Sequence, residues 1–387
     1  VWAAAEKIPQ VTSLDDPVLA DTFQPIASHS LQTAAGRTPN LLTLSQRFPW
    51  FGKLRLRGEI AEEEVQIALT RLVRAQLKVV EDVKVAYAEV FFAQRAIEVT
   101  EHNIELLEDL LSFAEARYRT GQSSQQDVLR AQVELDRLQD RLIGLRRQLR
   151  QAQADLASVL HTSPEADLRA VEQLPVLTVP DQIQALYEAA VACRPELQEQ
   201  LHAIVLSQRA QELAELQYYP DLTLGFGWQA LTTDEALARS ANGNDNIAFL
   251  VGVNLPIWYD RLNAAVRQAE YQTMEYARRY DATKDDTFRL IKRLVVQARA
   301  LDEQARLFRE SIVPKAEQTL RVSTADYRVG RVDFEQILDN WTDLLNFQIQ
   351  LVRLEASLAQ TLATLERVIG CELAAVPDVV GERASPA

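Results

Sequence analysis

The chain has 387 residues, of which 25% are charged and 47% hydrophobic, and a formal net charge of −14. That balance belongs to a folded protein, and the acidic excess argues against a nucleic-acid partner, which needs basic patches to neutralise phosphate. No apolar run reaches about 18 residues, so no single helix of this sequence spans a bilayer, which leaves a soluble protein or a β-barrel. Only 12 glycines occur, and long Ala/Leu/Gln/Glu/Arg tracts favour extended helices.

Residues 1–8 read as the end of a helix whose beginning is cut off. The argument comes from the second half, where Arg194-Pro195-Glu196-Leu197 opens a helical pattern that runs to Tyr219-Pro220. Pro9 matches Pro220, so roughly 25–30 residues of a first copy are expected to be missing. No secretory signal is visible, and the chain reads as processed or truncated. Residues 10–50 carry several prolines, a turn at Gly36-Arg37-Thr38-Pro39, and apolar alternation at Leu42, Leu44, Gln46 and Phe48. This predicts a β-hairpin, clearer in its second strand, that closes on Phe48-Pro49-Trp50-Phe51.

From about Leu56 to Tyr118 the pattern is helical, a rod of roughly 90 Å at 1.5 Å per residue. It ends in Tyr118-Arg119-Thr120-Gly121, where a glycine followed by polar residues turns one helix into an antiparallel one. The returning helix repeats in heptads at Val128, Ala131, Leu135, Leu138, Leu142, Leu145, Leu149, Ala152, Leu156 and Val159, a coiled-coil seam. Residues 162–193, with Pro164, Pro175 and Pro180 and an apolar segment Leu174–Val179, predict a small collar of short helices and strands.

The pattern then recurs. Leu222, Leu224, Phe226 and Trp228 alternate with Thr223, Gly225, Gly227 and Gln229; a polar loop follows over 231–246, then an apolar strand ending at Leu255-Pro256-Ile257-Trp258-Tyr259. A second ascending helix is read as uninterrupted from Leu262 to Tyr327. It ends in Tyr327-Arg328-Val329-Gly330, about 209 positions after the first such tip. The return runs through Ile337, Asn340, Leu344, Phe347, Leu351, Leu354 and Leu358, in the same phase. This divides the chain into a first repeat (1–161: β-hairpin about 10–50, helical hairpin about 54–161) and a connecting collar (162–193). A second repeat follows (194–370: β-hairpin about 220–257, helical hairpin about 260–370), then a tail at 371–387 read as partly disordered. Neither β-hairpin is stable alone in water, and four strands close into a barrel only by recruiting other copies.

Chemistry-bearing residues are sparse. Cys193 and Cys371 are too few for a disulfide framework or metal cluster, and whether they pair is left open. The four histidines are scattered, so no metal site is expected. No phosphate loop or nucleophile elbow appears, which predicts neither an enzyme nor a bound cofactor. Glu62, Glu63 and Glu64 read as a solvated helix face. Asp127 and Asp333 read as caps of the returning helices. The aromatics at the hairpin ends (Trp50, Phe51, Trp228, Trp258 and Tyr259) fit core filling or a membrane-interface belt better than ligand stacking.

With the repeat in view, the chain resembles the TolC-type outer-membrane efflux family. The features that carry this are the hairpin ends RFPWFGK and NLPIWYD, the helix start RPEL, the junction YYPDLTLGFGW, and the paired tips YRTG and YRVG, in order and duplicated. PWFGKL is similar to members paired with heavy-metal exporters. The resemblance implies a mainly α fold with a membrane β-hairpin pair, assembled as a homotrimer in the outer membrane. Four strands per protomer would give a twelve-stranded β-barrel, and the helical hairpins an α-barrel across the periplasm. It further implies a passive exit duct of a tripartite efflux or type I secretion system, docked to a periplasmic adaptor and an inner-membrane pump. The adaptor contacts would be Gly121, Gln122, Ser123, Gly330, Arg331 and Val332. Asp339 would form an acidic gate ring, and Arg130 would pair with it on neighbouring hairpins when the duct is shut. The competing reading is a soluble periplasmic coiled-coil scaffold or adaptor. What discriminates is the pair of alternating segments 222–229 and 248–255, for which a scaffold has no use.

Overall fold

The structure, a computed structural model, describes residues 1–24, 30–33, 36–172, 174, 179, 182–233, 236–239 and 243–373. It forms two compact units, Val1–Leu72 with Glu196–Thr283 and Val73–Pro195 with Lys284–Ala387, so each unit draws on both halves of the sequence.

The first unit is built on an antiparallel sheet of strands β1 (Val18–Phe23), β2 (Leu31–Thr33), β3 (Gly36–Phe48), β4 (Leu222–Thr232) and β5 (Asn246–Val253). Their order is β1-β3-β4-β5, with β2 beside the distal part of β3. The two hairpins are thus joined through β3 and β4, whose register places Leu42 opposite Trp228, Leu44 opposite Phe226 and Phe48 opposite Leu222. In turn Trp228, Phe226, Leu224 and Leu222 oppose Ile247, Phe249, Val251 and Val253. Residues directly opposite share a face. One face is therefore mainly large and apolar, interrupted by Asn40 and Gln46 in β3 and by Asp21 in β1. The other is mostly small or polar, with Thr43, Ser45, Gly225, Gly227, Ala248 and Gly252, but also carries Leu41 and Leu250. Phe249 is 83% exposed and Val251 73%, and every residue of β5 is exposed.

Three expectations for this unit need correction. Gly36-Arg37-Thr38-Pro39 is not a turn but the start of β3; proline removes a ladder donor, and the β3–β4 register shifts between Arg37 and Asn40, the irregularity that accommodates it. Strand β2 was not foreseen. Pro9 does not end a helix: after α1 (Trp2–Ala5), helix α2 (Lys7–Thr12) contains it in its first turn, where its missing N–H is not needed. Beside the sheet stand the first turns of α3 (Lys53–Arg119), helix α6 (Pro195–Leu216) and the start of α7 (Tyr259–Leu307). Polar contacts join them: His202 Nδ1 lies 2.8 Å from Glu63, Arg71 bonds Glu199 at 2.8 Å, and the Ser207 and Thr273 hydroxyls meet at 2.9 Å.

The second unit is helical, with α4 (Gln125–Val159), α5 (Ile183–Cys193), α8 (Val313–Arg328) and α9 (Phe334–Ile369) beside the remainders of α3 and α7. The heptad reading of α4 holds. Ala131, Leu138, Leu145 and Ala152, seven apart, are buried, while Leu135 and Leu142 are half-buried. Trp341, Leu344, Leu345 and Ile349 of α9 pack among Leu107, Leu110 and Ala114 of α3. A second cluster joins Leu186 and Ala190 of α5, Ile291 and Val295 of α7, and Leu362, Leu365 and Ile369 of α9. Polar pairs fix the register between α3 and α9: Asn103 to Gln348 at 2.9 Å, Arg353 to Glu89 at 2.8 Å, and Arg367 to Glu81 at 2.9 Å.

The second ascending helix is not uninterrupted. Pro314 cannot donate to the Glu310 carbonyl, and a π-turn occupies Phe308–Ile312 between α7 and α8. The connection 160–182 has no helix or strand among its described residues; only α5 remains of the expected collar helices, because Pro164 and its polar neighbours leave no apolar stripe. Residues 175–178 of the expected apolar segment and residues 374–387 of the tail lie outside the described residues.

Candidate functional site

The two hairpin tips are built alike down to their hydrogen bonds. In the first, Gly121 N–H donates to Tyr118 O at 3.0 Å and Gln122 N–H to Arg117 O at 2.9 Å; in the second, Gly330 donates to Tyr327 O at 3.0 Å and Arg331 to Asp326 O at 2.9 Å. This six-to-one and five-to-two pair is the Schellman ending, and it needs the left-handed conformation that both glycines adopt, φ 69° and 76°. The return helices start differently. Ser124, not Asp127, is the N-cap of α4; Asp127, three residues on, completes a capping box with it. Asp333 is the N-cap of α9 without a side-chain bond to the helix.

The tips are also tied to each other, which the sequence reading missed. The Arg117 guanidinium of the first hairpin donates to the Tyr327 carbonyl of the second, reaches Gln122 O at 3.3 Å, and sits 4.6 Å from the centre of the Tyr327 ring. Phe113 meets the same ring edge-on at 5.8 Å, Phe334 packs against it at 5.5 Å, and Arg328 returns the contact over Phe113 at 5.6 Å. Burial, with the nearby Asp127 carboxylate, holds the Tyr327 phenol above its ordinary pKa, against the opposing Arg117 charge. Gly121, Gln122, Arg331 and the side chain of Val329 remain exposed, while Ser123 and Val332 are half-buried. Duplication of the Tyr-Arg pair was the available signal. Nothing in the sequence assigned Arg117 its partner.

Asp339 is exposed on α9, two residues past the buried Ile337. Within the chain Arg130 does not pair with it: the Arg130 guanidinium bonds Glu335 at 2.9 Å, one helical turn before Asp339. The three side chains still lie along one strip, because positions four apart share a helix face.

A further cluster went unread in the sequence. Asp221, between α6 and β4, is 4% exposed and gathers the bases of several elements. Its carboxylate accepts from Lys53 Nζ at 2.7 Å, Arg47 Nε at 3.2 Å and the Trp50 N–H at 3.0 Å, and its own N–H donates to the Asn254 side chain. Lys53, 1% exposed, also donates to Tyr219 O at 2.9 Å. Burial alone would raise the Asp221 pKa, but hydrogen bonds from Lys53, Trp50 and Arg47 outweigh it and hold it down to about 2. Trp50 and its neighbour Phe51 lie at this cluster, whereas Trp228 stands six residues along β4 from Leu222. Trp50 stacks on Tyr219 at 5.4 Å, Phe51 and Trp258 are exposed, Tyr259 lies 6.4 Å from Tyr218, and Trp228 Nε1 donates to Asp245 at 3.1 Å.

Comparison with known proteins follows the same repeat. The family described as outer membrane efflux protein matches residues 28–161 and 186–371. The chain belongs to the outer membrane efflux protein family. It is 24% identical over 331 residues to the cobalt-zinc-cadmium resistance protein CzcC of Cupriavidus metallidurans, covering 82% of this chain and 74% of that protein. It is 22% identical over 354 residues to the pyoverdine export outer membrane protein OpmQ of Pseudomonas putida, covering 89% and 72%. Among solved structures, VceC of Vibrio cholerae superposes with a TM-score of 0.77 at 22% identity over 96% of this chain and 91% of that one. CusC does so with a TM-score of 0.79 at 18% identity, over 96% and 87%. The TolC-type fold, the outer-membrane location and a role in efflux transport are thereby settled against the scaffold reading. The family is one of channel proteins. No helix among the described residues is long and apolar enough to cross a membrane.

Proposed function

We propose that this protein is the passive exit duct of a tripartite efflux or type I secretion system, a homotrimer whose tips dock onto a periplasmic adaptor coupled to an inner-membrane pump. The observation that carries this is the sheet. Among the described residues β1 pairs only with β3 and β5 only with β4, so two edges of backbone donors and acceptors stand open. Open edges do not persist in hydrocarbon, where each unpaired group costs several kcal/mol. With β1 and β2, which lie end to end along β3, counted as one strand, three copies joined edge to edge close them into twelve strands, with the apolar face of Phe226, Phe249 and Val251 toward lipid and the small, polar face of Thr43, Ser45 and Gly227 toward the lumen. Trp50, Phe51, Trp228, Trp258 and Tyr259 then fall at the strand ends, where an interface belt belongs.

At the helical tips, the exposed backbone around Gly121-Gln122-Ser123 and Gly330-Arg331-Val332 forms the adaptor contact. Its two halves are presented together because Arg117 clasps Tyr327. Asp339, repeated threefold around the duct axis, forms an acidic ring that favours cations and narrows the passage. Its exchange of partners with Glu335 for Arg130 provides a closed-state lock between hairpins. Planar-bilayer recording tests the reading. The protein gives uniform conductance steps with cation preference, and Asp339→Asn weakens that preference while leaving insertion intact. Absence of discrete steps from correctly folded protein would overturn the duct, and an unchanged conductance and selectivity in the variant would overturn the gate assignment.

A further inference from the structure

The ends of α5 and α9 meet more closely than packing of two helices requires. Helix α9 ends on Gly370 in the left-handed conformation, φ 93°, and a Cβ at that position would lie 2.7 Å from both the Cys193 carbonyl oxygen and the Arg194 Cα. Only glycine lets the two backbones pass at this distance. The approach is held from below by the shared core of Leu186, Ala190, Val368 and Ile369, and from the side by Arg194, which donates to Val368 O at 3.2 Å. It places Cys193, the last residue of α5, beside Cys371, the first residue past the α9 cap, close enough for the Cys193 thiol to perturb that of Cys371. Cys193 is exposed and Cys371 half-buried. These are the two cysteines of the chain, and an outer-membrane protein is exposed to the oxidising periplasm, where vicinal thiols are turned into disulfides.

We propose that Cys193 and Cys371 form an intramolecular disulfide, a covalent clasp between the connection that leads into the second repeat and the end of its last helix. The chemistry is thiol–disulfide exchange with a protein or small-molecule disulfide as oxidant. The Cys193 thiolate, open to solvent, attacks the donor disulfide, forms a mixed disulfide and releases one donor thiol. Cys371 then loses its proton to solvent and attacks the Cys193 sulfur; the Cys193–donor bond breaks and the second donor thiol leaves. Two protein thiols are oxidised by two electrons and one donor disulfide is reduced to two thiols. The order follows from burial, which pushes the Cys371 thiol up to about 12, aided by the Cys193 contact and by Glu366, so it reacts only once a sulfur electrophile has been placed against it. The bond closes a long loop through α6, the β4–β5 hairpin and the second helical hairpin. It therefore restricts the unfolded chain far more than the folded one.

The full chain, purified in detergent without reductant after its thiols have been blocked in the cells with N-ethylmaleimide, tests this. The expected result is an intact mass about two hydrogens below the dithiol form, no maleimide label, and two labels after reduction with dithiothreitol. Treating the reduced protein with oxidised glutathione should restore the lighter species. In Cys371→Ser the same treatment should stop at a stable glutathione adduct on Cys193, and Cys193→Ser should remain unmodified. Two maleimide labels without prior reduction, together with failure of glutathione to produce the lighter species, would overturn the proposal. So would a disulfide-linked pair of chains on a non-reducing gel, or a stable glutathione adduct in the wild-type protein.

Discussion

Replacing Asp221 with asparagine is the sharpest test of how the sheet is fastened to its helices. The substitution keeps the shape and the bond to Asn254 but removes the charge that Lys53 faces at 2.7 Å and the Arg47 guanidinium at 3.2 Å. Lys53 is 1% exposed, so its ammonium would be left buried without a counter-charge, facing only the neutral Tyr219 carbonyl and the asparagine amide oxygen. Breaking a buried pair by removing one partner costs about 3–5 kcal/mol. The pKa gives a separate bound: a drop from 3.8 to about 2 corresponds to about 2 kcal/mol favouring the carboxylate over its neutral form. Together they predict a loss of roughly 2–5 kcal/mol, which lowers the thermal midpoint in detergent by roughly 2–6 °C, because the unfolding entropy of a chain this long is about 0.8 kcal/mol per degree. Circular dichroism melts of Asp221→Asn follow this directly. The double variant Asp221→Leu, Lys53→Met, which removes both charges, should recover most of the loss, since well-packed apolar replacements of an ion pair are often neutral. A single variant that melts within about 1 °C of wild type would refute the reasoning.

Other consequences are as specific. Because the folded Asp221 pKa is depressed, its contribution is fully present above about pH 4 and is lost as pH falls toward about 2; melts taken across that window should show a wild-type decline that is blunted in Asp221→Asn. Gly330→Ala forces alanine into φ 76° with its Cβ at an ordinary 3.9 Å contact from the Arg117 guanidinium, so it should destabilise by about 1 kcal/mol through backbone strain and not through a clash. A larger loss in chemical denaturation would mean that the tip packs more tightly than described. Arg117→Ala removes the guanidinium that joins the two tips and should raise amide hydrogen exchange in 326–333 far more than in the sheet; unchanged protection would dismiss the clasp. Glu335→Gln cuts an exposed pair with Arg130 and should cost less than about 1 kcal/mol, with any larger effect confined to conductance.

The repeat was legible because each of its parts rests on local rules. Glycine after Tyr-Arg-x specified the Schellman ends, heptads from Ala131 to Ala152 specified the seam, and period-two alternation in 222–228 specified the strand and its apolar face. What escaped reading depended on tertiary partners. Pro39 looked like a turn residue because sequence does not reveal that a strand bulge can house it, and Pro314 was passed over because a π-turn keeps the helix going around it. Asp221, Lys53 and Arg47 lie more than a hundred residues apart in part, and each alone resembles a surface charge. The partner of Arg130 within the chain, Glu335, escaped too, because it depends on the geometry of facing helices and not on the alignment of the two tips that suggested Asp339 in a shut duct.

The account rests on the claim that open sheet edges are closed by identical neighbours. Native mass spectrometry of the detergent-solubilised protein tests this most directly: it should report three times the 43.6 kDa chain mass, with no folded monomer after detergent is removed. A stable single chain in buffer without detergent would contradict it.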